Sequence, residues 1–129
     1  MNSATRILLL DSDKSDAELI KKELRSSGLH ADLKQVSNEK DFFKIFRSYR
    51  PGLVLSDLTI GALSGMAVMS KVRKLNPKQL FVLVSSRAHE ASMIEAIKNG
   101  ASGYVVKEQL SGLLPFVSHA ALHKKEKSP

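Results

Sequence analysis

Five short apolar runs, each followed by a stretch with apolar residues at helical spacing, constrain this 129-residue chain more than any single position does. The runs are Arg6–Leu10, Ala31–Val36, Leu53–Ser56, Leu80–Val84 and Tyr104–Val106. Runs this short, rich in aliphatic and β-branched residues and bounded by turn-formers, read as strands. Ala31–Val36 alternates, so one of its faces meets water, as at a sheet edge. Leu80–Val84 is apolar throughout and reads as an inner strand. Strands alternating with helices imply a parallel sheet covered on both faces, joined by right-handed crossovers. The fold class is therefore α/β, and the length fits one domain over residues 1–129.

The intervening segments carry helix signals. Ala17, Ile20 and Leu24 stripe Lys14–Ser27, and Gly28 stops it. Ser37 is the expected N-cap of a second helix, with Phe42, Ile45, Phe46 and Tyr49 on one face and Pro51-Gly52 as its end. Gly65 opens a third, with Val68, Met69, Val72 and Leu75 inward and Asn76-Pro77 closing it. The fourth runs from about His89 to Lys98, with Met93, Ile94 and Ile97 inward. The last starts near Ser111 and carries Leu113, Leu114, Val117, Ala121 and Leu122. Pro115 falls in or just after its first turn, where a missing N–H costs least, or else kinks it.

Composition removes several classes of function. The chain has no Cys, which excludes disulfides, thiolate metal sites and thiol nucleophiles. The apolar run near its start is too short for a signal peptide or a membrane span, so the cytoplasm is the expected location. A net charge of +7 invites a nucleic-acid reading. The basic residues are scattered, however, and only Lys124-Lys125-Glu126-Lys127 forms a cluster, so nucleic acid is not the expected partner. Nothing resembles a Gly-rich cofactor loop or a nucleophile elbow, and the chain is not read as an enzyme beyond chemistry on itself.

In a parallel sheet every strand ends at the same edge, and ligands collect there. Asp11, Ser12 and Asp13 follow the first strand, Asp57 the third, Ser85 and Ser86 the fourth, and Lys107 the fifth. Taken singly, Asp11 or Asp13 is a helix N-cap, Ser85 a turn residue and Lys107 a surface lysine. Taken together they form a rim of carboxylates, hydroxyls and one ammonium. Crowded carboxylates raise one another's pKa, and a hard divalent cation such as Mg²⁺ relieves the repulsion through oxygen ligands. Those groups match the needs of phosphoryl transfer, with an Asp carboxylate as acceptor.

Four segments resemble the receiver domains of two-component response regulators. They are Arg6 to Asp13, Pro51 to Leu58 with Gly65 eight residues after Asp57, Phe81 to Ser86, and Gly100 to Lys107. The resemblance implies a flavodoxin-like sheet in the order 2-1-3-4-5. It makes Asp57 the phosphoacceptor, Asp11 a carboxylate of the Mg²⁺ pocket and Thr59 a backbone-carbonyl ligand. Ser85 would bind a phosphoryl oxygen with Lys107 paired to it, and Tyr104 would reorient as Ser85 moves. The phosphoryl donor would be a histidine kinase or a histidine phosphotransfer protein. A downstream protein would read the face of the fourth helix, fifth strand and fifth helix, and a homodimer is left open. The chain would either stand alone, as chemotaxis-type or relay regulators do, or be a fragment of something larger.

Three positions depart from the family pattern. Ser12 stands where the second of two adjacent acids belongs, leaving Ser12 or Asp13 for that ligand position. Gly61 replaces a frequent proline after Asp57. Glu108 replaces the proline after the lysine, whose peptide bond is typically cis in the family. A cis bond before a non-proline costs roughly 2.5–4 kcal/mol, so Lys107–Glu108 is expected either trans with an altered loop or as a strained cis bond. These departures motivate the alternative function, a receiver-like interaction module that works without phosphorylation.

Overall fold

A computed structural model of the chain describes residues 4–60 and 63–126. Gly61 and Lys127, both singled out above, lie outside the described residues. The elements alternate as expected: β1 (Thr5–Leu10), α1 (Lys14–Ser27), β2 (Ala31–Val36), α2 (Glu39–Tyr49), β3 (Leu53–Asp57), α3 (Gly65–Leu75), β4 (Leu80–Ser85), α4 (Glu90–Lys98), β5 (Gly103–Val106) and α5 (Leu114–Glu126). Between β3 and α3, Thr59–Ile60 and Leu63–Ser64 form a short antiparallel ribbon, pairing Thr59 with Ser64. The main sheet has the strand order β2-β1-β3-β4-β5, and all its pairings are parallel. This is the flavodoxin-like doubly wound arrangement.

Alternation along the inner strands divides the core in two. Leu8, Leu10, Val54, Phe81 and Leu83 point to one face, where Phe42 and Phe46 of α2, Val68, Met69 and Val72 of α3, and Met93 and Ala96 of α4 cover them. Ile7, Leu9, Leu53, Leu55, Val82 and Val84 point to the other, under Ala17, Ile20 and Leu24 of α1 and Val117 and Ala120 of α5. β2 lies at the edge with alternate residues exposed, as its sequence implied.

Helix boundaries follow from caps. Gly28 ends α1 at φ 77°, a left-handed conformation suited to glycine, and its N–H donates to the Arg25 carbonyl. The cap of α2 is Asn38 rather than Ser37. Its side-chain carbonyl accepts from the Asp41 N–H at 2.8 Å, and its own backbone is extended, as an N-cap's is. Pro115 sits in the first turn of α5, as expected.

Three inward assignments fail, and one apolar residue of the last helix is also turned out. Leu75, Ile94, Ile97 and Leu122 are exposed, and Ala96 and Ala120 are buried in the neighbouring helical positions. The edge strand β5 has four residues, so α4 needs only the narrow stripe of Met93 and Ala96 to cover it, and Ile94 and Ile97 turn away. A 3₁₀ stretch, Lys107–Leu113, delays α5 until Leu114 and sets a helical phase that buries Val117 and Ala120. Leu75 is the last residue of α3.

Phe42 is fully buried, whereas Ile97 is 38% exposed. We therefore predict that Phe42→Ala costs about 3–5 kcal/mol. Ile97→Ala should stay within about 0.5 kcal/mol. Urea unfolding of the two variants checks this; equal losses would place α4 deeper in the core than described.

Candidate functional site

Strand register gathers the polar residues. Leu10 pairs with Ser56, so Asp11 and Asp57 emerge level on neighbouring strands. Asp57 pairs with Val84 and Ser85 pairs with Val106, so Ser85 and Lys107 emerge in step beside them. Topology alone thus brings Asp11, Asp57, Ser85 and Lys107 to one rim.

The Lys107 ammonium lies 3.5 Å from Asp57 Oδ2. Its shorter contact, 2.7 Å, is to Oδ2 of Asp16, a residue the sequence reading left as an ordinary helix position. Asp11, Asp16 and Asp57 each bring a carboxylate oxygen within 4.8 Å of the others, a grouping able to hold a metal ion. Asp11 is 1% exposed. Its Oδ1 accepts from the Asp13 N–H at 2.9 Å, while its Oδ2 is buried with no donor. Burial pushes the Asp11 carboxyl up to about 7, against the pull of the Asp13 N–H, and a hydrogen bond shared with Asp16 and the charges of Asp16 and Asp57 push it the same way. Burial pulls Lys107 down, but hydrogen bonding to Asp16 and the charges of Asp57 and Asp11 outweigh it, so its net shift is upward. The ammonium therefore stays charged. Chemically the rim is an oxygen-rich anionic cup with one cation, lacking a donor for its deepest oxygen.

The other expected residues fall as follows. Asp13 is the N-cap of α1, its Oδ1 accepting from Ser15 N–H at 2.8 Å and Ser15 Oγ–H at 2.6 Å. These bonds hold its carboxyl below the usual carboxylate range. Ser12 is exposed. Thr59 lies two residues beyond Asp57, in the ribbon paired with Ser64. Ser85 is buried at the end of β4, its Oγ 3.4 Å from His89 Nδ1, which also lies 3.0 Å from Ser86 Oγ. The Tyr104 hydroxyl donates to Glu90 Oε2 at 3.0 Å. Among the described residues no peptide bond is cis, so Lys107–Glu108 takes the trans alternative. The altered loop is the 3₁₀ stretch, and Glu108 Oε1 accepts from the Arg87 N–H at 3.0 Å, tying it to the loop before α4.

Gly65 has a local reason to be glycine. A Cβ there would lie 2.4 Å from the Asp57 carbonyl oxygen, so the start of α3 could not approach the strand end with any side chain. Asp16 also had a signal in the sequence. With Asp13 as N-cap, Asp16 is the third residue of α1, in a first turn that starts beside the end of β1. A residue there faces the rim, but an acid in a first helical turn also suits the helix dipole, which hid its second role.

A doubly wound sheet with three acids and one lysine gathered at its carboxyl edge defines a class of signalling module. The response regulator receiver domain family matches residues 7–115, and the chain belongs to it. It is similar to the chemotaxis protein CheY of Thermotoga maritima, 24% identical over 79% of this chain and 84% of that protein. It is also similar to the chemotaxis protein CheY of Halobacterium salinarum, 25% identical over 81% and 85%. Among solved structures, a response regulator receiver domain protein from Clostridium thermocellum superposes with a TM-score of 0.80 at 23% identity, covering 96% of this chain and 99% of that one. A receiver domain from Bacteroides fragilis does so with 0.80 at 22%, covering 92% and 98%. At these identities the structural likeness speaks for the fold. Receiver domains are modules of two-component signal transduction rather than classical enzymes. No helix among the described residues is long and apolar enough to cross a membrane.

The buried, donorless Oδ2 of Asp11 makes a prediction about the metal-free protein. Asp11→Asn keeps an acceptor for the Asp13 N–H and replaces a repelled charge by a donor. We predict that it raises stability by about 1–3 kcal/mol, read as a higher thermal midpoint in the presence of a chelator. A lower midpoint would mean that the carboxylates do not repel as described.

Proposed function

We propose that Asp57 accepts a phosphoryl group, making the chain a phosphorylatable receiver across residues 1–129, with its partner-binding face as the output. The observation that carries this reading is the Lys107 ammonium 3.5 Å from Asp57 Oδ2, in a cup whose buried Asp11 oxygen has no donor. In the transfer, an Asp57 oxygen attacks phosphorus and a P–O bond forms. The P–N bond of a phosphohistidine donor breaks, and its electron pair leaves with the imidazole nitrogen. A histidine kinase or a histidine phosphotransfer protein is the donor of that chemistry.

The residues present suit a hard divalent cation, because an anionic cup of oxygens lacks positive charge where Asp11 is most deeply buried. Asp11, Asp57 and the Thr59 backbone carbonyl would hold Mg²⁺, and when bound it supplies charge stabilisation for the phosphoryl oxygens. Lys107 supplies a second cation from the opposite strand of the rim and orients the incoming anion. Ser85, one residue beyond the strand partner of Asp57, offers a hydroxyl to a phosphoryl oxygen. Turning toward phosphate would take Ser85 away from His89, and Tyr104, whose hydroxyl is held by Glu90 of α4, would reorient in response. The output is read on α4, β5 and α5, where Ile94, Ile97 and Leu122 are exposed and available to a protein partner. A cytoplasmic setting goes with this reading.

The alternative, an interaction module indifferent to phosphate, draws on Ser12 and Glu108. The carboxylate of Asp16 in the same cup weighs against it, since the charge missing at Ser12 is present there.

Incubation with acetyl phosphate and Mg²⁺ should add one phosphoryl group to the intact protein, as measured by mass spectrometry. Asp57→Asn should abolish the addition, and Lys107→Ala should slow it by about 10²-fold or more. Wild-type protein that gains no mass while an ordinary receiver does would overturn the proposal. Partner binding that Asp57→Ala leaves unchanged would favour the alternative.

A further inference from the structure

We infer that Asp16, from the first turn of α1, supplies the acidic ligand that Ser12 cannot, so that the carboxylate ligands of the divalent cation site are Asp11, Asp16 and Asp57, alongside the Thr59 carbonyl. The inference rests on the phosphoacceptor reading and concerns which residues build its cation site.

Of the two residues next to Asp11, neither is fit for the position. Ser12 carries no charge and is exposed. The Asp13 carboxylate is committed to Ser15, through its N–H at 2.8 Å and its hydroxyl at 2.6 Å, and faces solvent. That same cap fixes where Asp16 goes. An N-cap at Asp13 starts the helix at Lys14, and one turn brings Asp16 back over the end of β1. An oxygen of Asp16 then lies within 4.8 Å of oxygens from both Asp11 and Asp57. The second, independent observation is Asp11 itself. It is 1% exposed, and its Oδ2 has no hydrogen-bond donor. Carboxylate oxygens only accept, so a buried oxygen among them is met either by a proton on its own group or by a cation.

Lys107 supplies part of that charge. Its ammonium is closer to Asp16, at 2.7 Å, than to Asp57, at 3.5 Å. If Asp16 turns to a divalent ion, that ion replaces the ammonium as its partner, and Lys107 is released to the Asp57 side of the cup. A role of Asp16 as a mere salt-bridge partner gives the opposite expectation, because Asp16 would then add nothing to the affinity for a cation beyond its distant charge.

Calorimetric titration of the full, metal-free chain with Mg²⁺ separates these cases. Asp16→Asn should weaken binding at least about tenfold. Asp13→Asn removes the same charge from the same rim and keeps a competent N-cap, and it should shift binding by less than about threefold. Adding Ser12→Asp to Asp16→Asn should restore most of the lost affinity, which also shows that the variant folds. Wild-type binding matched by Asp16→Asn would overturn the inference and leave the phosphoacceptor reading standing. Equal losses in Asp13→Asn and Asp16→Asn would overturn it too, by reducing Asp16 to distant charge. Mg²⁺ binding that depends on Asp16, in a chain that acetyl phosphate does not label, would support the inference and sink the phosphoacceptor reading instead.

Discussion

Mutual repulsion among carboxylates at the end of a parallel sheet is the constraint from which the rest of this structure follows. Topology forces Asp11 and Asp57 to emerge side by side, and α1 adds Asp16 above them. In water such a group would relax apart; at the rim, strand pairing and helix packing hold it together. Among the described residues a single ammonium, Lys107, answers three acids, and Asp11 Oδ2 has no N–H or hydroxyl donor. The native state carries this cost because a large apolar core on both sheet faces offsets it.

The surroundings of the rim are tied together rather than independent. Lys107 ends β5, and the residue after it, Glu108, accepts from the Arg87 N–H in the loop that follows β4. In that loop His89 lies against both Ser85 and Ser86, and Glu90, first in α4, holds the Tyr104 hydroxyl. The lysine, the hydroxyl and the aromatic side chain thus belong to one hydrogen-bonded strip running from the cup to the outer helix. In place of a proline, Glu108 trades a rigid turn for a bridge between two loops. A change in what Lys107 or Ser85 contacts has a short path to α4, through bonds that are few and partly exposed and so inexpensive to rearrange.

Much of this was legible in the residues. Periodicity found every main strand and helix because each buries its apolar side against the sheet, and burial leaves a pattern that the chain cannot hide. It failed where hydropathy and geometry disagree. Ile94 and Ile97 are more apolar than Ala96, but a helix over a four-residue edge strand buries only a narrow stripe, and the stripe fell on the alanine. Asn38 displaced Ser37 as a cap because both are good caps, and only where α2 begins after the bend chooses between them. The rim residues after each strand were legible for a different reason: in a doubly wound sheet, position in the chain already implies position in space.

What the sequence determined by itself is the alternation of elements, hence the sheet order, hence the meeting of Asp11, Asp57, Ser85 and Lys107. These follow from local pattern and from the handedness of crossovers. The tertiary structure decided the rest. It paired Lys107 with both Asp16 and Asp57, and left Asp11 Oδ2 without a donor. Those outcomes depend on sub-ångström to few-ångström distances between side chains far apart in the chain, and such distances are fixed by packing, on which no local pattern of residues bears.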